Sequence, residues 1–149
     1  MDKFAMIIFG ASGDLTKRKL MPALYSLFRE KRLTGDFHIL GIGRTIYSDE
    51  DYRSYISGEL RTFVKSEEQD AALMEAFISH LCYLPMDPAK EEGYAMLRQR
   101  LVELTNEVDP DNLLFYLATP PSLYGVVPLH LKAAGLNTCL LYTSPSPRD

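Results

Sequence analysis

The sequence has few cysteines, no surplus of positive charge and no long apolar run, and each shortage excludes a class of protein. Lys and Arg number 16 against 20 Asp and Glu, a net charge of −4, which excludes generic nucleic-acid binding through bulk positive charge. No stretch approaches the ~18 uninterrupted apolar residues of a membrane span. The opening MDKFAMIIFG carries one short apolar run with no small-residue cleavage site behind it, unlike a signal peptide. Two cysteines, Cys82 and Cys139, cannot build a disulfide framework or a four-ligand zinc site, and no metal site is expected. Such sparing use suits a reducing, cytoplasmic compartment. What remains, 46% hydrophobic and 24% charged over 149 residues, is the composition of one ordinary globular domain.

The charge that is present is unevenly spread. Residues 1–44 hold eight Lys/Arg against four Asp/Glu, whereas residues 45–111 hold six against fifteen. A local excess of cations near the N-terminus suits an anionic ligand there. Residues 139–149, CLLYTSPSPRD, turn abruptly rich in Ser and Pro. The string resembles the in-frame translation of a transposase-type sequencing adapter, so residues 1–138 are expected to be a native but truncated domain and 139–149 a non-native appendage.

Apolar runs alternate with helical periodicity. Phe4–Phe9 reads as a strand buried on both faces. A helical stretch follows from about Asp14 to Arg32, with Pro22 expected to bend it or end its first segment. His38–Gly41 is a second strand. Asp49, Glu50 and Asp51 suit the positive end of a helix whose stripe is Tyr52, Ile56, Leu60 and Phe63. Ser66 and Gln69 form a capping-box pattern that is expected to open a third helix. Cys82–Leu84 is a weak strand, and Asp87-Pro88 a candidate start for the next helix. Leu113–Leu117 is the best later strand, and a last helix from about Ser122 stops at Gly135. Strands separated by helices predict an α/β fold, a doubly wound, mainly parallel sheet of Rossmann-like type.

The chemistry concentrates at the first strand-to-helix turn. Gly10-Ala11-Ser12-Gly13-Asp14 lies where a phosphate-binding turn belongs in an open α/β sheet. Glycines admit a sharp turn and close ligand approach, and the N–H groups of the helix start face an anion. Against G-x-G-x-x-G the match is poor, and no P-loop Gly-Lys-Ser/Thr follows. Lys17, Arg18 and Lys19 crowd the first helical turns, where cations oppose the helix dipole unless an anion binds. Arg44, in Gly41-Ile42-Gly43-Arg44-Thr45, follows the second strand, where an acid would bind the ribose of NAD and an arginine suits the 2′-phosphate of NADP. The first acid after that strand is Asp49, well beyond its end, so NADP is favoured.

Residues 10–27, GASGDLTKRKLMPALYSL, resemble the nucleotide-binding signature of the glucose-6-phosphate dehydrogenase family, G-x-x-G-D-L-x-x-R-K-L-x-P-x-L. Gly10, Gly13, Asp14, Leu15, Arg18, Lys19, Leu20, Pro22 and Leu24 all match. Gly41–Thr45 is similar to the family's 2′-phosphate segment, and Phe115–Pro121 to its F-Y-L-A-x-P-P segment beside the cofactor. The resemblance covers residues 4–138. It implies oxidation of glucose 6-phosphate at C1 to the 6-phosphogluconolactone, with NADP as hydride acceptor, in the oxidative pentose phosphate route. It implies cofactor contacts at Gly10, Ala11, Ser12, Gly13, Asp14, Leu15, Thr16, Lys17 and Lys19, a 2′-phosphate contact at Arg44, and places beside the nucleotide for Met86 and Tyr116. It further implies a homo-oligomeric whole protein.

The family's R-I-D-H-Y-L-G-K-E and E-K-P-F-G segments are not among these 149 residues. His38, His80 and His130 read as structural, so the chain by itself is expected to be inactive, no base being at hand for the substrate hydroxyl. Two other readings stand beside this one: a free-standing NADP-binding module or sensor, and a different NADP oxidoreductase of the short-chain type. The latter needs Tyr-x-x-x-Lys, and none of the nine tyrosines is followed by lysine four residues on.

Overall fold

The computed structural model describes residues 4–33, 36–105, 113–119, 121–123, 125–136 and 139–142. Strands β1 (Phe4–Phe9), β2 (Phe37–Gly43), β3 (Leu81–Pro85), β4 (Leu113–Leu117) and β5 (Cys139–Tyr142) form one sheet in the order β3-β2-β1-β4-β5. Every adjacent pair is parallel. Parallel neighbours need long crossovers, and these carry helices α1 (Met21–Arg29), α2 (Asp49–Phe63), α3 (Ala71–Ile78), α4 (Gly93–Thr105) and α5 (Val126–Ala133). Among the described residues no helix is long and apolar enough to cross a membrane.

The period of two along β1 divides the core. Ala5, Ile7 and Phe9 pack with Leu97 and Leu101 of α4 and Val127 and Leu131 of α5. Met6 and Ile8 belong to the opposite layer, with Tyr25 of α1, Tyr52 and Ile56 of α2, and Phe77 of α3. A strand covered on both faces has no polar side to present, which is why Phe4–Phe9 reads as an unbroken apolar run.

Pro22 is the second residue of α1, which continues a helical run that begins at Asp14. The residues before it, Thr16–Leu20, form a π-helical turn in which Met21 N–H donates to Thr16 O. The wider turn relieves the contact that the proline ring would make with the carbonyl four residues back. The helical stretch ends at Arg29 rather than Arg32, through paired bonds from Lys31 N–H to Phe28 O and from Arg32 N–H to Leu27 O. Helix α5 ends the same way, with Gly135 donating to Lys132 O and Leu136 to Leu131 O. The residue in the left-handed conformation is Gly135 (φ 78°) in one case and Lys31 (φ 63°) in the other.

Three helices start later than the sequence analysis places them, and α5 is one, beginning at Val126 after a 3₁₀ turn at Pro121–Leu123 rather than at about Ser122. Ser66–Glu68 is a 3₁₀ turn, and α3 is capped instead by Asp70, whose carboxylate accepts from Ala72 and Leu73 N–H at 3.0 and 3.1 Å. Gln69 is drawn away from a capping box because its amide donates to Arg61 O and Val64 O at the end of α2. Asp87 likewise closes a turn, accepting from Ala89 N–H at 2.9 Å, and α4 opens at Gly93. The backbone of Cys139–Tyr142 continues the sheet past residue 138, where the sequence reading ends the native part. This strand pairs with β4 from Leu114↔Cys139 to Leu117↔Tyr142. Residues 143–149 of the proposed appendage lie outside the described residues.

The outer edge of the sheet at β3 is closed by side chains. Ile39 N–H donates to His80 O and Met86 N–H to Gly43 O, so even-numbered residues of this strand face β2 and odd-numbered ones face outward. Asp49 of α2 accepts from Tyr83 N–H at 2.8 Å, and Arg53 donates to Leu81 O at 2.8 Å. Arg100 of α4, from the other face, reaches round the edge to Asp49 at 2.5 Å.

The two matched helix ends generate a test. A side chain in the left-handed region costs about 1 kcal/mol that glycine does not. Lys31→Gly is therefore expected to stabilise the protein by about 0.5–1 kcal/mol, read as a higher urea midpoint at unchanged slope. A lower midpoint would show that Lys31 earns its place by a contact.

Candidate functional site

At the C-terminal end of the sheet the chain departs in opposite directions from β1 and β4, and open α/β sheets bind ligands at such a switch point. The turn after β1 is tied to both neighbours. Gly10 and Ala11 N–H both donate to Ile42 O at 3.0 Å, while Ala118 N–H donates to Phe9 O at 2.9 Å. Gly10 has φ 89°, and a Cβ on it would lie 2.3 Å from Ala118 O. No other residue fits between those strand ends. Gly10 O in turn accepts from Gly13 N–H at 3.0 Å and from the buried Thr16 hydroxyl at 2.8 Å. The first helical bond runs from Lys17 N–H to Gly13 O, so helix geometry leaves the N–H groups of Asp14, Leu15 and Thr16 without an acceptor one turn back.

A cleft of about 460 Å³ opens above this turn. Gly10, Ser12 and Gly13 line its floor, Gly43 and Arg44 the β2 side, Asp87 to Ala89 a further wall, and Ala118, Thr119, Ser122 and Leu123 the β4 side. Four residues assigned by sequence thus meet here: Gly10, Ser12, Gly13 and Arg44. Ala11 and Thr16 are buried under the turn, supporting it. Met86 is also buried; its N–H is held by Gly43 O and its side chain packs beneath Gly93 in the core. Tyr116 packs against the layer holding α1 and α2, and the two residues just beyond β4, Ala118 and Thr119, reach the cleft instead. Asp14, Leu15 and Lys19 are exposed and do not line the cleft.

The cationic cluster of the helix start is largely neutralised within the protein. Lys17 pairs with Glu59 of α2 at 3.3 Å, a hydrogen bond that raises its pKa above the usual lysine value. Arg18 pairs with Asp14 at 2.7 Å and lies over the Phe63 ring. Arg44 is different: it is exposed at the cleft, and its guanidinium makes no ion pair or hydrogen bond among the described residues.

Sequence reasoning missed the tyrosines that hold the turn. Tyr52, fully buried, donates to Ala11 O at 2.9 Å, and Tyr55 donates to Ser12 O at 3.3 Å. Tyr83 donates to Thr45 O at 2.6 Å, fastening the segment that carries Arg44. Burial pushes the Tyr52 phenol far above its ordinary pKa and that of Tyr83 up to about 12, so both remain donors. Spacing marks Tyr52 and Tyr83 as buried and leaves Tyr55 off the buried stripe, and nothing in the sequence distinguishes a core tyrosine from one that grips a loop. His38, His80 and His130 stand away from the cleft; His80 stacks on Phe37 at 3.9 Å and bonds Phe37 O.

Gly10→Ala is expected to destabilise by at least about 2 kcal/mol, since it adds left-handed strain to a backbone clash. Tyr52→Phe is expected to cost about 1–3 kcal/mol by orphaning a buried carbonyl. Both are read from urea denaturation, and a Gly10→Ala variant of unchanged stability would refute the packing of β1 against β4 at this point.

The family model described as glucose-6-phosphate dehydrogenase, NAD binding domain, matches residues 7–144. A glucose-6-phosphate 1-dehydrogenase of Aggregatibacter actinomycetemcomitans is 46% identical over 133 residues, covering 89% of this chain and 26% of that protein. A solved glucose-6-phosphate dehydrogenase in complex with its substrate glucose-6-phosphate is 33% identical, with a TM-score of 0.78, over 93% of this chain and 29% of that one. The crystal structure of the Mycobacterium avium enzyme, at 24% identity and a TM-score of 0.82, covers 95% of this chain and 30% of that one and shares the fold. The chain, spanning about a quarter of the length of the curated relatives it matches, therefore belongs to the glucose-6-phosphate dehydrogenase family.

Proposed function

We propose that these residues are the dinucleotide-binding part of an NADP-dependent glucose-6-phosphate 1-dehydrogenase, which oxidises D-glucose 6-phosphate to 6-phosphoglucono-1,5-lactone. The observation that carries the choice of NADP is Arg44, a guanidinium with no partner among the described residues, at the mouth of the cleft on the β2 side. A guanidinium grips a phosphate bidentately and stacks on an adenine face, and no acid stands at the end of β2 to favour a ribose hydroxyl instead.

The residues present fit the cofactor. The floor at Gly10 is a place that a single Cβ would fill, which suits close approach of a pyrophosphate. The N–H groups of Asp14, Leu15 and Thr16 would meet its charge at the helix start. Lys17 and Lys19 add positive potential near that end of the site, Lys17 through a pair shared with Glu59. Met86 supports the wall at Asp87 on the adenosine side, and Tyr116 supports the β4 segment from below. When bound, NADP supplies the hydride-accepting nicotinamide; the work of this chain is to hold and orient it. The base that takes the substrate proton belongs to the remainder of the protein, as does the glucose 6-phosphate site. The whole enzyme, in this reading, is a cytoplasmic homo-oligomer of the oxidative pentose phosphate route.

The test is nucleotide titration of the 149-residue chain by calorimetry at low ionic strength. Arg44→Asp is expected to weaken NADP binding at least about tenfold, the worth of charge-assisted hydrogen bonds, and to leave NAD binding no weaker. Selectivity between the two nucleotides that does not change would overturn the assignment of Arg44.

A further inference from the structure

Among the described residues that line the cleft, Thr119 is the one with a side-chain oxygen both shut from solvent and unpartnered. It follows β4 by two positions, and its Oγ1 is shut from solvent with no hydrogen-bond partner among the described residues. Its methyl group, Cγ2, lies 3.4 Å from where a Cβ on Gly10 would stand, so the side chain abuts the floor of the site. A hydroxyl buried without a partner costs free energy that a methyl in the same place would not. Groups held unsatisfied in a folded protein call for a reason, and a ligand that completes them is one such reason.

Position suggests which ligand atom. Arg44 stands beyond β2 on one side of β1, and Thr119 beyond β4 on the other. A dinucleotide laid across that switch point, with its 2′-phosphate at Arg44 and its pyrophosphate over Gly10, carries its second nucleoside toward β4. Resting on the cofactor reading above, we propose that the Thr119 hydroxyl hydrogen-bonds the ribose of the nicotinamide-side nucleoside. Rotation about χ1 carries Oγ1 to the place Cγ2 holds beside the Gly10 floor, a change that side chains make within nanoseconds. In the free protein the hydroxyl is sequestered; on binding it gains its acceptor. Thr119 is thus a positioning residue for the half of the cofactor that reacts, and Arg44 an anchor for the half that does not.

The two halves can be probed separately with NADP and with adenosine 2′,5′-bisphosphate, which lacks the nicotinamide nucleoside. Thr119→Val keeps the shape and removes the hydroxyl. The expected result on the 149-residue chain is NADP binding about three- to tenfold weaker, with adenosine 2′,5′-bisphosphate unaffected and Thr119→Ser restoring NADP affinity. The ligand-free valine variant should melt at the same temperature or a few degrees higher, because it sheds an orphan polar group. A merely structural threonine would instead lower the melting temperature or weaken both nucleotides alike, and either result overturns the proposal. So does unchanged NADP affinity in the valine variant. Wild-type protein that binds neither nucleotide would remove the cofactor reading itself, an outcome distinct from the failure of Thr119.

Discussion

The arrangement turns on one close approach, that of the Gly10 backbone to the carbonyl of Ala118. The two strands β1 and β4 must run side by side and yet send their chains apart at the same level. Only a residue without a side chain, in a left-handed conformation, lets them do so. From that approach follow the paired bonds to Ile42 O, the tight return of Gly13 onto Gly10 O, and the direction in which the first helix leaves the sheet. The cleft is the space left over when the chain diverges, so its floor and the junction of three strands are the same few atoms.

Around that junction the protein uses aromatic hydroxyls as fasteners. Tyr52, Tyr55 and Tyr83 each reach a backbone carbonyl of a cleft segment. A buried phenol raised far in pKa keeps its proton, so the carbonyls of Ala11 and Thr45 have a constant donor across the ordinary pH range. The loops that would meet a ligand are in this way set before any ligand arrives. Preorganisation of this kind lowers the ordering cost of binding.

What could be read from the sequence and what could not divide along physical lines. β4 is legible to the residue, and β1 likewise, because an unbroken apolar run flanked by polar chain has few other uses. The tight turn after β1 is legible through Gly10 and Gly13 and the company they keep. Helix starts were read less well: Ser66 and Gln69 match a cap pattern, yet Gln69 caps the preceding helix and Asp70 takes its place. Capping residues bind whichever backbone end lies nearest in space, and spacing along the chain does not contain that. The same holds for Lys17 and Arg18, whose partners Glu59, one helix away, and Asp14, one turn back, turn an apparent anion trap into internal ion pairs. Arg44 differs because its guanidinium makes no ion pair among the described residues.

Asp49 begins a helix, satisfies an outward N–H of the outermost strand and receives a cation from the opposite layer. With Arg53 on the neighbouring carbonyl, it gives β3 side chains where another strand would otherwise lie. A ribbon of backbone left bare invites pairing with a second molecule; this one has been hemmed. The β3 edge is thus finished like a selvedge, its two occupied groups standing where an added strand would bond.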